Sequence, residues 1–390
     1  MDTRSRCHPE RPTTLVPLLA LLAALGCSEA AIAQDTEALI GQLRAADPHE
    51  RAMAACELGE AGSTAVRRAM PALLELLSDD ATVEGRLCRD GYGWQRGWYD
   101  DTTPGREAAI ALEEAGTPAL EPLLDVLADG GPAARENAAL ALGMIEDVRA
   151  VPALGARLRS DAVAGVREQS AWALGMIEDV RGVAPLAEAA RDEATQVREQ
   201  VAWALGMIEA SPGVEPLSRL IRDGDAKVRS QAAWALGMIE SADGVDPLAT
   251  AARDEAPEVR KQTAWALGMI ESARGVPALR TLLADGDAKV REQAAWGLGM
   301  IEDREAVDAL IEALAGDADA DVREQSAWAL GMIEDPRAAG PLADALEDED
   351  DDVRDQAMWA LGMVVRDGGG SVDTHELARK LRRSLELEED

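Results

Sequence analysis

The chain has 390 residues and a formal net charge of −34. That charge excludes nucleic acids and anionic membranes as partners held by electrostatics, since both are polyanions, and it favours cationic or neutral ones. Apolar residues make up 47% of the chain, yet Phe is absent and Tyr occurs twice, so the core must be built from Ala and Leu in small, close-packed helices.

The first 33 residues read as a secretory signal, not as fold. Arg4, Arg6 and Arg11 precede an apolar run from Leu15 to Leu25, and Ala31-Ile32-Ala33 offers a cleavage site before Gln34. The apolar run is too short for a permanent transmembrane span. Gly26-Cys27 offers a second cleavage pattern with a lipid anchor at Cys27, but Leu25 before it is atypical, and cleavage after Ala33 is the preferred reading. Either processing exports the mature chain to the periplasm or the extracellular space.

From about residue 36 to residue 366 the sequence repeats itself. Residues 166–179, VREQSAWALGMIED, return with small changes at 197, 228, 259, 290 and 322, and more loosely at 353. The Gly of the Leu-Gly-Met phrase stands at 143, 175, 206, 237, 268, 299, 331 and 362, a spacing of 31 residues stretched twice to 32. Two degenerate copies precede these, around Gly59 and Ala115, giving about ten repeats. A second segment of each repeat, such as Val183–Ala190 or Val276–Leu283, places apolar residues at i, i+3 and i+4, which is helical. Asp225, Asp319 and Asp350 occupy N-cap positions, and Pro132 and Pro257 stand at N1. Each repeat is therefore expected to be two antiparallel helices and two short turns.

Asp, then Val-Arg, then Ala-x-x-Leu-Gly, then Ile: this pattern resembles the HEAT-like repeats first described in phycobilisome lyases. The resemblance covers nearly the whole mature chain. It implies an all-α, right-handed α-solenoid with the Val-Arg helix on the concave side, and it implies little about activity. It also implies that Arg167 and the acidic turn residues build a ladder of hydrogen bonds between repeats.

Residues 83–104 interrupt the second repeat. They hold GYGWQRGWYD and Cys88, are rich in Gly, and read as a loop. Cys56 takes the Trp position of the first repeat, and a Cys56–Cys88 disulfide would pin this aromatic loop. At the other end Gly368-Gly369-Gly370 breaks the array, and residues 374–387 read as an amphipathic capping helix, so 367–390 is hinge plus cap.

Seven of the nine Trp fall on one position of the repeated phrase. On a helical wheel Val166, Ser170, Ala173, Leu174 and Ile177 span about 80° to 180°, whereas Gln169, Trp172 and Met176 span about −20° to 40°. The first set must face the partner helix, so the second faces away from it. Ala171 and Gly175 lie on a flank where small residues admit the neighbouring repeat. The outward set recurs as Gln169, Gln200, Gln231, Gln262, Gln293, Gln325 and Gln356; as Trp172, Trp203, Trp234, Trp265, Trp296, Trp328 and Trp359; and as Met176, Met207, Met238, Met269, Met300 and onward to Met363. Outer segments have drifted between copies while this stripe has not.

Two readings compete. In one, each Trp lies across the next first helix and stacks on its Met sulfur, worth about 0.3–1.5 kcal/mol per contact. In the other, the stripe binds an extended protein segment, Pro-rich or basic. Trp offers rigid contact area and Gln can donate and accept at once. Neighbouring helices stand about 8–10 Å apart. A polyproline-II strand advances about 3.1 Å per residue with three residues per turn, close to the same period. Armadillo repeats are similar in logic, holding extended peptides on Trp and Asn ladders. Glu168, Glu199, Glu292 and Glu324 flank the stripe and favour Arg or Lys on the ligand, although Ser230 and Lys261 interrupt the acidic row.

Catalytic readings have little to rest on. The related deoxyhypusine hydroxylases hold iron with four His-Glu pairs, whereas here only His49-Glu50 and His375-Glu376 follow the signal, at opposite ends. Neither continues as His-Glu-x-x-His, and no haem or Gly-x-Ser-x-Gly motif occurs. A lyase like the family's namesakes finds no chemistry here, and Met residues one repeat apart are too distant to share a soft ion. The expectation is a non-enzymatic scaffold with no cofactor and no metal, the runner-up being a purely structural spacer.

Overall fold

The structure is a computed structural model that describes residues 35–85, 87 and 101–366. The signal and its Cys27, the aromatic segment with Cys88, and the Gly-rich hinge with the expected cap lie outside the described residues. By contacts the chain divides into two compact blocks, one ending at Ile145 and one beginning at Glu146. Within each, helices pack in consecutive pairs, and the fold is an all-α solenoid.

One repeat shows why these residues form these elements. Asp225 caps the first helix, Ala226–Ile239, its Oδ1 accepting from the N–H groups of Lys227 and Val228 at 2.8 and 3.4 Å. Val228, Ala232, Ala235, Leu236 and Ile239 are buried along one stripe. The helix ends at Glu240, which adopts a left-handed conformation with φ of 51°. Ser241 then caps a single 3₁₀ turn, Ala242–Gly244, and the second helix, Val245–Ala251, follows. The short connection expected between the helices is thus itself a turn of helix.

The helix-end Glu recurs with φ between 51° and 56° at Glu146, Glu178, Glu209, Glu240, Glu271, Glu302 and Glu334. Gly or Asn ordinarily fills this place, because the left-handed region costs a side-chain-bearing residue about 1–2 kcal/mol.

Second helices are seven residues long in most repeats of the second block, but ten residues long in Val151–Ser160 and Val307–Gly316. These two lie in the repeats that the sequence stretches to 32 residues. In this block the first helices of successive repeats pack along their length, while most second helices scarcely touch their successors. Tighter spacing in one layer bends a stack toward that layer, which puts the first helices on the inner side of this block.

The insertion in the second repeat is more ordered at its base than a loop. Val83 pairs with Thr102 and Glu84 with Asp101 as a minimal antiparallel ladder. Residue 104 is not part of the insertion: Thr103 caps a helix, Pro104–Glu113, by accepting from Arg106 N at 3.1 Å, and Pro104 supplies its first position. Cys56 is buried in the helix Pro48–Glu60 and is disulfide-bonded; Cys88, its expected partner, lies outside the described residues.

The expected arginine ladder is present. Arg229 spans two turns: its Nη1 donates to the carbonyls of Asp223 and Gly224 at 2.9 and 3.2 Å, and its Nε and Nη2 grip Asp254 at 2.7 and 2.9 Å. Asp254 Oδ1 also accepts from Ala256 N at 2.9 Å, which fixes the turn leading into the next first helix. The same two-oxygen grip joins Arg167 to Asp192, Arg198 to Asp223, Arg260 to Asp285, Arg291 to Asp317 and Arg323 to Asp348. In the first block Arg51 reaches Asp79 at 2.6 Å. These pairs are largely buried, with side-chain exposures of 9% and 10% for Arg229 and Asp254, so removing one partner costs about 3–5 kcal/mol.

The ladder makes stability depend on acid. Burial is the largest single influence on Asp192, Asp223, Asp254, Asp317 and Asp348 and pushes each carboxyl up; hydrogen bonds from arginine and the turn N–H, with the guanidinium charges, outweigh it and hold each below its ordinary value. At Asp285 the hydrogen bonds from Arg260 are the largest influence, and the shift is again downward. A carboxyl whose folded pKa is depressed stabilises the fold above its unfolded value, near 3.8, and loses that contribution as pH falls through the lower folded value. The melting temperature is expected to hold or rise from pH 7 toward about pH 4 as the charge of −34 relaxes, then to fall steeply below the unfolded aspartate value. Circular dichroism melts across this range check it, and an unchanged melting temperature below pH 4 would refute the ladder's role.

Candidate functional site: the tryptophan stripe

The first helices place the Trp residues. A methyl group added to Gly175 would stand 2.7 Å from Cζ3 of Trp203 and 2.9 Å from Cα of Ala204. Equivalent positions at Gly206, Gly237, Gly268, Gly299 and Gly331 would lie 2.5–2.8 Å from Cζ3 of Trp234, Trp265, Trp296, Trp328 and Trp359. Gly is therefore required on this flank: adjacent first helices approach so closely that no side chain fits between them, and the edge of an indole fills the notch. The flank expected from the helical wheel is confirmed.

The direction of the contact corrects one expectation. Under the packing reading each indole lies across the next first helix, yet the indole edge reaches back to the Gly of the preceding one. The notch opens on the forward flank of each helix, so its occupant must come from the repeat that follows.

One edge is spent in this way, and each ring stays partly exposed. Trp172, Trp203, Trp234, Trp265, Trp296 and Trp328 are half-buried, while Trp359, beyond which no further repeat is described, is 41% exposed. Gln169, Gln200, Gln231, Gln262, Gln293, Gln325 and Gln356 are half-buried too, as are Met176, Met207, Met238, Met269 and Met300. The structure brings these side chains into three parallel rows on one side of the second block. The rows begin there: in the preceding first helix, Pro132–Ile145, the positions hold Asn137, Leu140 and Met144. Leu140 and Met144 are buried, and Asn137 Nδ2 donates to the Leu77 carbonyl at 2.9 Å. By contrast, among the described residues neither the seven Gln amides nor the seven indole N–H groups make a hydrogen bond to the protein. Each repeat thus offers one indole donor and one amide donor–acceptor that the fold has not used.

Acidic groups flank the rows. Glu168, Glu199, Glu292 and Glu324 are half-buried, while Lys261 interrupts the row and is exposed. Glu324 is held above the ordinary glutamate value, first by burial and then by the charges of Asp352, Asp321, Asp350 and Glu292. Lys289 stands between Glu292 and Asp321, 2.9 and 2.6 Å away, and is held strongly protonated by them. Negative potential therefore accumulates toward the last repeats. Among the described residues no group of three or more His, Cys, Asp or Glu is placed to hold a metal ion, and no helix is long and apolar enough to cross a membrane.

The left-handed Glu row is what sequence reasoning missed. Its signal was present: Glu follows Met-Ile at every full copy's helix end, where a repeat free to drift would sample Gly or Asn.

Comparison with known proteins agrees with this architecture. The family described as HEAT repeats matches residues 100–175, 214–290 and 276–362, and the PBS lyase HEAT-like repeat matches residues 166–192 and 197–223. No curated protein matches the chain. Among solved structures, importin beta superposes with a TM-score of 0.62 at 15% identity, over 91% of this chain and 54% of that one. Kap95p, solved with RanGDP, gives 0.59 at 16% identity over 91% and 54%. The CpcE–CpcF phycocyanin lyase of Nostoc sp. PCC7120 reaches only 0.36 at 22% identity, over 61% of this chain and 94% of that one, and carries no argument.

The notch sets a test. Gly237→Ala forces a methyl against Trp265 and the Ala266 backbone, and overpacking of this kind costs about 1–3 kcal/mol. Gly340→Ala, in a helix with nothing within 4 Å, is expected instead to gain a few tenths of a kcal/mol from helix propensity, up to ~1. Urea denaturation of both variants measures the difference, and equal effects would show that the close approach is not needed.

Proposed function

The chain belongs to the HEAT-repeat family, and we propose that it is an exported, non-enzymatic scaffold that binds an extended protein segment along its Trp, Gln and Met rows. The observation that carries this reading is the unspent donors and acceptors: Gln amides and indole N–H groups on half-buried side chains, one of each per repeat, with no hydrogen-bond partner among the described residues. An extended backbone presents N–H and C=O groups at regular intervals, and a Gln amide can satisfy both. The partly exposed indoles supply rigid apolar area, and the flanking Glu residues select for Arg or Lys on the ligand. Kap95p, a structural neighbour, binds RanGDP, which supports a protein as the class of partner. The contacts of indole edges on glycine favour a second reading, a stiff spacer whose Trp row is structural.

A synthetic peptide of alternating proline and arginine separates the two. Titration is expected to shift indole fluorescence saturably. The triple variant Gln200→Ala, Gln231→Ala and Gln262→Ala, which leaves every Trp in place, is expected to weaken binding at least tenfold, about 1.4 kcal/mol, with an unchanged melting temperature. Absence of a saturable shift would leave only the spacer.

Export rests on the N-terminal signal pattern and places the scaffold in the periplasm or outside the cell. Mass spectrometry of the mature chain should find Gln34 at its N-terminus; an intact residue 1 in the mature chain would overturn export, and a lipid on Cys27 would move the protein to a membrane surface.

A further inference from the structure

The last first helix, Asp351–Arg366, presents a face that differs from every other in the second block. Its Gly362 has nothing within 4 Å, whereas the Gly at each earlier position from 175 to 331 carries the indole edge of the following repeat. Val365 on the same helix is 37% exposed. Arg354 is buried and donates to the Asp348 carbonyl at 2.9 Å, as its counterparts do to their own turns, but the carboxylate it grips is Asp351 of its own helix, where Arg323 and the others grip an Asp about 25 residues onward. Among the described residues, the face therefore has a glycine notch with no occupant, an exposed apolar edge and a guanidinium with no downstream carboxylate.

We propose that residues 374–387 of the same chain cover this face, with Leu377 and Leu381 against Gly362 and Val365. The segment begins after a connection of seven residues, 367–373, which extended spans about 23–25 Å, far more than the roughly 8–10 Å between packed helices. Covalent attachment also gives it a high effective concentration at the face. Charge agrees in sign: the segment carries Arg379, Lys380, Arg382 and Arg383, and the helix carries exposed Asp351, Asp352 and Asp355. The docking is independent of ligand binding along the stripe.

Hydrogen exchange on the full chain tests it. In Leu377→Asp with Leu381→Asp, amides of Asp351–Arg366 are expected to exchange at least tenfold faster than in the wild type, with those of Ala226–Ile239 unchanged. A photoreactive residue in place of Gly362 should form its adducts within residues 374–387 of the same chain. Unchanged exchange in the last helix overturns the proposal, as do adducts formed only with a second copy or a wild type that sediments as a dimer and becomes monomeric with Gly362→Arg.

Discussion

Everything in the second block follows from how closely its first helices approach. A glycine on the forward flank of each helix lets the next backbone come within ordinary contact of its own, with Cα of Ala204 2.9 Å from where a side chain on Gly175 would begin. Short spacing in this layer leaves the second helices spread apart and bends the stack toward the first helices. It also decides the fate of the indoles, because the notch takes the edge of the following repeat's ring. The partly exposed remainder of each ring is what the proposed binding stripe would present to another molecule.

Two kinds of polar group accompany this packing and behave differently. The arginines of the Val-Arg pairs from Arg167 to Arg323 are fully engaged, with carbonyls of their own turn on one side and a carboxylate of the next turn on the other. They fix the distance between turns at one edge of the stack. The glutamines three residues before each Trp make no hydrogen bond among the described residues. A fold that needed its Gln for cohesion would use it as Asn137 is used, on a backbone carbonyl. Cohesion and availability are thus assigned to different residues of one short phrase, and both recur with the repeat.

Much of this was legible in the sequence. The period of the Leu-Gly-Met phrase gave the repeat, N-capping Asp and leading Pro gave the helix starts, and the wheel separated Gln, Trp and Met from the buried stripe. These features depend on local chemistry, and the structure places them as expected. The direction of the indole contact was not legible, because a wheel gives the angle of a side chain and not which neighbour meets it. Nor was the strand pair at Val83 and Thr102, which joins two short polar-flanked segments across a long insertion. The left-handed Glu at each helix end was missed because residue type pointed away from it: Glu is a helix former, and only its recurrence at the boundary marked a backbone requirement.

The two ten-residue second helices have a consequence of their own. Each absorbs an additional residue, yet beside the second of them a methyl group added to Gly299 would still stand 2.5 and 3.0 Å from Trp328 and Ala329, as one added to Gly237 would stand 2.7 and 2.9 Å from Trp265 and Ala266. Length can therefore grow on the far layer while the rungs opposite keep step. That layer is a tolerant margin, where loops or fused modules could be grafted and the protein's outward character rewritten, without shifting a single tooth of the comb on the other side.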